Sequence, residues 1–279
     1  MPNDGGALIF DETIYQRLEL ENPNINRFIK KLLGSYELIN GVKRFCFWIS
    51  DDELDSAKKY KPIIEAIEKC KKHRLASVDE GARKLAKRPH QFRDLNVAVE
   101  AAIVVPSVSS ERRDYIPIDI IGNDTIISNL ALAIYDAQPW LFGIIHSKMH
   151  MVWVDAVGGK LKTDYRYSAK LCYNTFPFPD ITLRQKENLN LYVFAILDER
   201  AKHPEKTMAQ LYDPDKMPKG LRQAHEDLDR AVEQCYRLQP FMSDTERLEF
   251  LFKLYEEMSK SSPLFSKQKP AKKTKKKCG

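Results

Sequence analysis

The sequence predicts an α+β chain: a mixed α/β domain over residues 1–180, a small all-helical domain over 181–262 and a disordered Lys-rich tail over 263–279. Three observations lead there. Short apolar, β-rich runs between Ala101 and Tyr135 are broken by Pro106, Pro117 and Gly122, the texture of strands and turns. After Pro177-Phe178-Pro179, long segments carry apolar residues three and four apart, the period of helices buried on one face. Beyond Ser262 the chain is rich in Lys and Pro, with too little apolar surface to offset chain entropy.

Taken in order, residues 24–33 predict a short helix with Ile25, Phe28, Ile29, Leu32 and Leu33 on one face and Gly34 as its stop. Asn40-Gly41 reads as a turn into a strand over residues 44–49. Residues 51–73 predict a helix with Ile63, Ile64 and Ile67 inward. A second basic helix follows over 77–87, ended by Pro89. Strands are expected over 101–105, 115–121, 126–130 and 132–135. A helix with Trp153 inward is expected over 141–156, and a strand over 165–173. The second domain begins near Asp180. Helices are expected over 183–203, on Leu189, Tyr192, Val193, Ile196 and Leu197, and over 220–237, on Leu221, Leu228 and Val232. A third covers 243–258, opened by Ser243 and Glu246 at capping-box spacing.

Composition narrows the class. With 43% hydrophobic and 30% charged residues, the chain can bury a core while keeping a charged surface. No run of eighteen apolar residues is present, and the N-terminus has no basic region followed by an apolar stretch. A cytoplasmic protein with no membrane partner is expected. Cys46, Cys70, Cys172, Cys235 and Cys278 are scattered, without a C-x-x-C pair, and read as reduced structural thiols. His146 and His150 have the spacing of two metal ligands. No third ligand accompanies them, which favours a helix-face or core role and no metal.

The net charge of +6 conceals blocks. Residues 58–93 hold twelve Lys or Arg against four acids, a net +8. The tail from Lys267 carries seven Lys and no acid, which leaves the rest of the chain at −9. Such blocks point to an anionic partner.

Several absences limit the chemistry. There is no G-x-G-x-x-G after a strand and no Walker A sequence. Asn174-Thr175-Phe176-Pro177-Phe178 lacks the prolines that fix a catalytic Asn against a flipped base in amino-group DNA methyltransferases, so no catalytic residue is assigned. Asp51, Asp52, Glu53 and Lys58 could furnish metal-holding acids with a Lys, but they fall at a helix start, where capping is the better account. Ser109 to Tyr115 offers Arg112 and Arg113 as phosphate clamps; pairing of one Arg with Glu111 or Asp114 is an equal alternative. The stretch from Tyr212 to Asp229 reads as a structural loop-to-helix junction.

The stretch from Gly158 to Asn174 is the most informative. After a double glycine it holds Lys160, Lys162, Asp164, Tyr165, Arg166, Tyr167 and Lys170, side chains that grip phosphates or read base edges. In an extended segment, Lys162 and Asp164 share a face. Lys donates to guanine and Asp accepts from the cytosine amino group, so together they can read one G·C pair. A surface ion pair between them is the alternative.

Separated segments also resemble one family in order: Pro2-Asn3-Asp4-Gly5-Gly6, Glu37-Leu38-Ile39-Asn40-Gly41, Arg44-Phe45-Cys46-Phe47-Trp48, Glu111 to Pro117, Ser128-Asn129, Met149-His150-Met151, Gly159-Lys160-Leu161-Lys162, Tyr165-Arg166-Tyr167-Ser168, Phe176-Pro177-Phe178-Pro179 and Leu211-Tyr212-Asp213-Pro214. Up to about Tyr236 the chain resembles the C-terminal portion of MmeI-like restriction–modification proteins, which join nuclease, adenine methyltransferase and target-recognition parts. The resemblance implies a DNA target-recognition domain followed by a helical C-terminal domain, with the catalytic and nuclease parts elsewhere, so the chain reads as a fragment. It implies double-stranded DNA as partner, with Lys162, Asp164 and Asn129 reading bases and Arg112, Arg113, Lys160, Arg166 and Lys170 on the backbone. The other partner is a methyltransferase domain of the same or a separate chain. No cofactor is expected in this segment; S-adenosylmethionine belongs to the parent enzyme. The function expected is sequence-specific recognition for an adenine-N6 methyltransferase. The competing reading is a protein-interaction adaptor that docks partner subunits through its helical domain. An RNA binder is weaker, since no RNP or KH signature occurs.

Overall fold

The structure, a computed structural model, describes residues 3–261; the tail and the disorder expected of it lie outside the described residues. β1 (Ile9–Asp11) passes into α1 (Glu12–Glu21), capped by Asp11 accepting from the Ile14 N–H. A 3-10 turn at Pro23–Phe28 leads into β2 (Ile29–Leu33), α2 (Ser35–Asn40) and β3 (Arg44–Phe47). Gly41 ends α2 in the left-handed region at φ 67°, a conformation that favours glycine. Next come α3 (Leu54–Ala57), α4 (Lys61–Leu75) and α5 (Glu80–Leu85).

The middle of the chain supplies β4 (Ala101–Pro106), β5 (Val108–Ser109), β6 (Asp119–Gly122), β7 (Thr125–Ile127) and β8 (Ala131–Tyr135). α6 (Pro139–Ile145) and α7 (Lys148–Val157) precede the hairpin of β9 (Gly159–Leu161) and β10 (Asp164–Arg166), then a π turn at Ala169–Tyr173. The C-terminal helices are α8 (Leu183–Ala201), α9 (Met208–Leu211), α10 (Lys219–Tyr236) and α11 (Asp244–Ser261). The strands make three sheets, ordered β1-β3-β2-β7, β6-β4-β8 and β5-β10-β9. Every pairing is antiparallel except β2 with β7. The α+β class is as the sequence predicts. Among the described residues no helix is long and apolar enough to cross a membrane.

Two main cores result. One packs Phe10, Phe45 and Phe47 of the four-stranded sheet, with Leu8 before β1 and Phe28 of the 3-10 turn, against Ile63, Ala66 and Cys70 of α4. The other is larger. It joins Ile103, Ile118, Phe142, Trp153 and Phe176 to Leu189, Val193, Leu228, Val232 and Leu251, so the helical segment after residue 180 shares a core with what precedes it.

Several elements differ from the sequence expectation, each for a local reason. The helix expected over 24–33 stops at Phe28, because Lys31, Leu32 and Leu33 pair with Thr125, Ile126 and Ile127. The Asn40-Gly41 turn is the end of α2. The helix expected over 51–73 is two, broken where Pro62 starts α4. That over 141–156 is also two, because the Ser147 side chain caps a new helix by accepting from the His150 N–H. The strand expected over 115–121 begins only at Asp119, and that over 126–130 ends at Ile127. The strand expected over 165–173 ends at Arg166, since its partner β5 is two residues long. Beyond it, Asn174 N–H donates to Ala169 C=O, closing the π turn.

Candidate nucleic-acid interface

The site is built on the smallest sheet. α7 ends at Gly158, whose N–H donates to the Val154 carbonyl (2.8 Å); a Cβ at Gly158 would be driven into that oxygen. The chain therefore leaves α7 directly as β9. Leu161 pairs with Asp164, so Lys162 and Thr163 form a two-residue loop. Lys162 lies in the left-handed region at φ 59°. For a residue with a Cβ this costs about 1–2 kcal/mol. Lys162 and Asp164 consequently do not share one strand face, since the chain turns between them rather than running extended. They meet at a hairpin tip instead, Lys162 exposed and Asp164 half-buried.

Lys160 faces Tyr165 across the ladder. Its ammonium lies 3.9 Å from the Tyr165 ring centre and 2.8 Å from Asp155. Arg166 is exposed opposite Gly159 and Val108. Arg113 reaches the sheet from outside, donating from Nη1 to Ser109 Oγ (3.3 Å). Its Nε is buried without a partner. Burial pushes its guanidinium pKa down, opposed by the carboxylates of Asp164 and Asp213. Lys170 is exposed on the π turn. Arg112 turns away to Asp215 (2.6 Å), and Asp114 takes Arg222 (3.1 Å), so neither Arg112 nor Arg113 forms an ion pair with Glu111 or Asp114 among the described residues.

Asn129 lies exposed in the loop after β7 and lines an apolar pocket with Ile9, Leu32, Phe92, Ile126 and Arg93. Ser107 ties that loop to the hairpin. Its hydroxyl donates to Leu130 C=O (3.0 Å), and its carbonyl accepts from Tyr167 N–H (2.9 Å). The fold thus brings Lys160, Lys162, Asp164, Arg166 and Arg113 around one small sheet, places Asn129 next to it, and ties Arg112 to the helical region. Ser107 carries no signal in the sequence that marks it as the joint.

α7 is fixed from behind. Asp229 of α10 accepts from Lys148 N–H at the start of α7 (2.6 Å) and from Tyr115 Oη (2.7 Å). Trp153 packs 5.2 Å from Phe252 and 5.6 Å from Tyr255 of α11. His150 is fully buried and shares a hydrogen bond with Tyr167 Oη (2.8 Å), one residue past β10; burial pushes its pKa down to about 3. His146 is buried beside Arg200, Tyr212 and His225, where desolvation keeps both imidazoles neutral. Both histidines of the metal-like pair are core residues. Among the described residues no three His, Cys, Asp or Glu gather to hold a metal. Asp51 does not cap α3; it accepts from Gln91 Nε2 (3.1 Å) and bonds His90 (2.9 Å).

Comparison with known proteins gives one consistent answer. Residues 1–180 match the family model for the MmeI target recognition domain, and residues 181–262 match that for the MmeI C-terminal domain. The chain is 49% identical over 259 residues to DNA methyltransferase A of Bacillus subtilis (strain 168), covering 93% of this chain and 29% of that protein. It superposes with a TM-score of 0.86, at 32% identity, on the Type IIL restriction-modification enzyme MmeI solved in complex with DNA, covering 93% of this chain and 35% of that one. The chain spans about a third of the length of each.

Proposed function

The chain belongs to the MmeI family, with its target recognition and C-terminal domains, and from that premise we propose that it is a sequence-specific double-stranded DNA recognition module of an adenine-N6 methyltransferase or restriction–modification protein. The observation that carries the reading is the hairpin, with Lys162 exposed at its tip, Asp164 half-buried beside it and Arg166 exposed at its base, on a sheet braced by the helical region. A two-stranded ribbon fits the major groove, where Lys reads guanine and Asp reads cytosine. In this reading Lys162, Asp164 and Asn129 meet base edges. Arg113, Lys160, Arg166 and Lys170 meet phosphates, and Arg112 joins them on release from Asp215. Methyl transfer would come from a methyltransferase domain on the same or a separate chain, which would hold S-adenosylmethionine. Its place would be the cytoplasm.

The test is selection from a randomised duplex pool. One enriched motif is expected; an unenriched pool refutes the reading. Exchanging the two tip residues, Lys162→Glu with Asp164→Arg in an intact methyltransferase, should invert one G·C pair of the motif, at a discrimination of about 1–3 kcal/mol. An unchanged motif with weaker binding removes the pair as readers. A second reading, an adaptor docking protein subunits, is favoured by one feature: Leu183, Leu191 and Phe194 stand exposed on α8. Pull-down of a partner through wild-type α8 but not a Leu191→Glu variant, with no enriched motif, would select it.

A further inference from the structure

The cations of residues 58–93 fall into distinct groups in the structure. Arg74 is fully buried. Its Nε donates to Asn3 C=O (2.7 Å), Nη1 to Leu85 and Arg88 C=O (3.0 and 2.9 Å), and Nη2 to Gln91 C=O (2.8 Å). Leu85 ends α5, and its carbonyl and that of Arg88 each accept the guanidinium in addition to a backbone N–H, from Arg88 and Gln91 respectively. It thereby holds α5 and the segment after it against the last turn of α4. Lys58, Lys61, Lys84 and Arg93 pair with Asp55, Glu65, Glu80 and Asp94. Arg83 is spent on the carbonyls of Ser77 and Val78. Lys69, Lys71, Lys72 and Lys87 are exposed and have no carboxylate within ion-pair distance among the described residues.

Cations in a last helical turn complement the helix dipole, and that is the simplest account of Lys72. It does not explain why a buried Arg clamps one basic segment onto another. The clamp holds the basic last turn of α4 against the basic α5 and the segment after it, and like-charged elements held together favour an anion across them. Glu68 is the nearby exposed acid of α4, and it leaves the last two turns strongly positive. Ammonium groups on flexible stems suit phosphates as point charges, and contacts to phosphate carry no base information. The cationic segment also adjoins the candidate interface, because Arg93 at its end shares the apolar pocket with Asn129.

We propose that Lys69, Lys71, Lys72 and Lys87, on a platform fixed by buried Arg74, grip the phosphate backbone of duplex DNA flanking the site that the hairpin reads. The duplex as partner rests on the function proposed above; the platform itself does not depend on the hairpin residues. The experiment uses the full chain and fluorescence anisotropy, with a motif-bearing duplex and a scrambled duplex across 50–200 mM NaCl. The platform quadruple Lys69→Gln, Lys71→Gln, Lys72→Gln and Lys87→Gln is compared with a control quadruple of exposed lysines, Lys202→Gln, Lys216→Gln, Lys219→Gln and Lys253→Gln. Each lost phosphate contact removes about 0.9 from the slope of log affinity against log salt. Four contacts therefore shrink the affinity lost between 50 and 200 mM by about 10²-fold, equally on both duplexes, with motif preference kept. The Lys→Arg version of the platform should retain the wild-type slope, which separates charge from folding. An unchanged slope overturns the proposal, as does equal flattening in the control quadruple. So does loss of binding to phosphatidylserine vesicles or single-stranded RNA in place of loss on duplex. If wild type shows no motif preference while the platform variant still flattens the slope, the recognition reading fails and the platform stands.

Discussion

Asp229 couples the helical region to the hairpin, and its ionisation can be followed. Its carboxylate is buried on α10 and accepts from Tyr115 Oη and Lys148 N–H. Burial pushes its pKa up to about 6 against those two hydrogen bonds, with Glu233 raising it and Lys148 lowering it. His225, neutral by burial, stacks on Tyr115 at 4.1 Å beside it. A carboxyl with a raised folded pKa binds protons more readily in the folded state than in the unfolded one. Its contribution to stability therefore falls as pH rises from the unfolded value near 3.8 to about 6, and is level above that. Asp229→Asn keeps the shape and cannot ionise. The difference between wild type and Asp229→Asn isolates this one group from His146 and His225, whose lowered pKa values act in the opposite direction, losing stability as pH falls below about 6.5. Between pH 5 and pH 7.5, wild type should lose about 1.4 kcal/mol relative to Asp229→Asn, from a folded pKa of about 6. Urea unfolding followed by tryptophan fluorescence at both pH values reads it directly. A difference that does not change with pH, or that grows in favour of wild type at pH 7.5, refutes the assignment of a buried, destabilised carboxylate at the base of α7.

Other expectations follow from the same geometry. Arg74→Ala takes the side-chain donor from four carbonyls, of which Leu85 and Arg88 keep a backbone N–H, and should cost about 2–5 kcal/mol, about 1–3 for each of the Asn3 and Gln91 carbonyls, read as a shifted urea midpoint; a loss below about 1 kcal/mol would mean water replaces it. Tyr167→Phe leaves the buried His150 Nε2 without a partner and should cost about 1–3 kcal/mol. It should also broaden the enriched duplex motif, and an unchanged motif would show that the hairpin needs no pin there. Gly158→Ala forces a Cβ into the Val154 carbonyl. It should destabilise by about 1–3 kcal/mol, as steric strain in a packed site does, whereas Gly159→Ala, with only Arg166 Cβ at 3.9 Å, should be mild in the same thermal scan.

What the sequence made legible depended on how far away the partners were. α8 and α10 could be read because their stripes, Leu189-Val193-Ile196 and Leu221-Leu228-Val232, satisfy the helical period within one segment. Trp153 faces inward as its pattern indicated. β2 could not be read, because its strand character comes from Asp124 to Ile127, over ninety residues later. For the same reason nothing local to α7 announced that Asp229 would hold its first turn. The candidate site was legible as a set of side chains, since charges and aromatics after a double glycine are a local signal. Its shape was not, since Lys162 is no turn residue by type, yet closes the hairpin. Nor does an arginine such as Arg74 look different, in a basic run, from the lysines that stay in water.

If residue 162 meets a base edge, as proposed, its left-handed backbone sets which letters a hairpin of this form can read. At φ 59° a β-branched side chain is a steric outlier, whereas Asn and Asp are several-fold enriched and Gly is at ease. Long unbranched side chains are strained there but held, as Lys162 is. In the proposed reading, Lys or Arg at this position would select guanine, Asn or Gln adenine, and Asp or Glu cytosine. The methyl group of thymine is met by the methyl of Thr, which this backbone rejects, or by Ala, which it strains no more than it strains Lys. In that reading, descendants of this hairpin could change the base met at residue 162 without rebuilding the turn, with thymine left to Ala and closed to Thr.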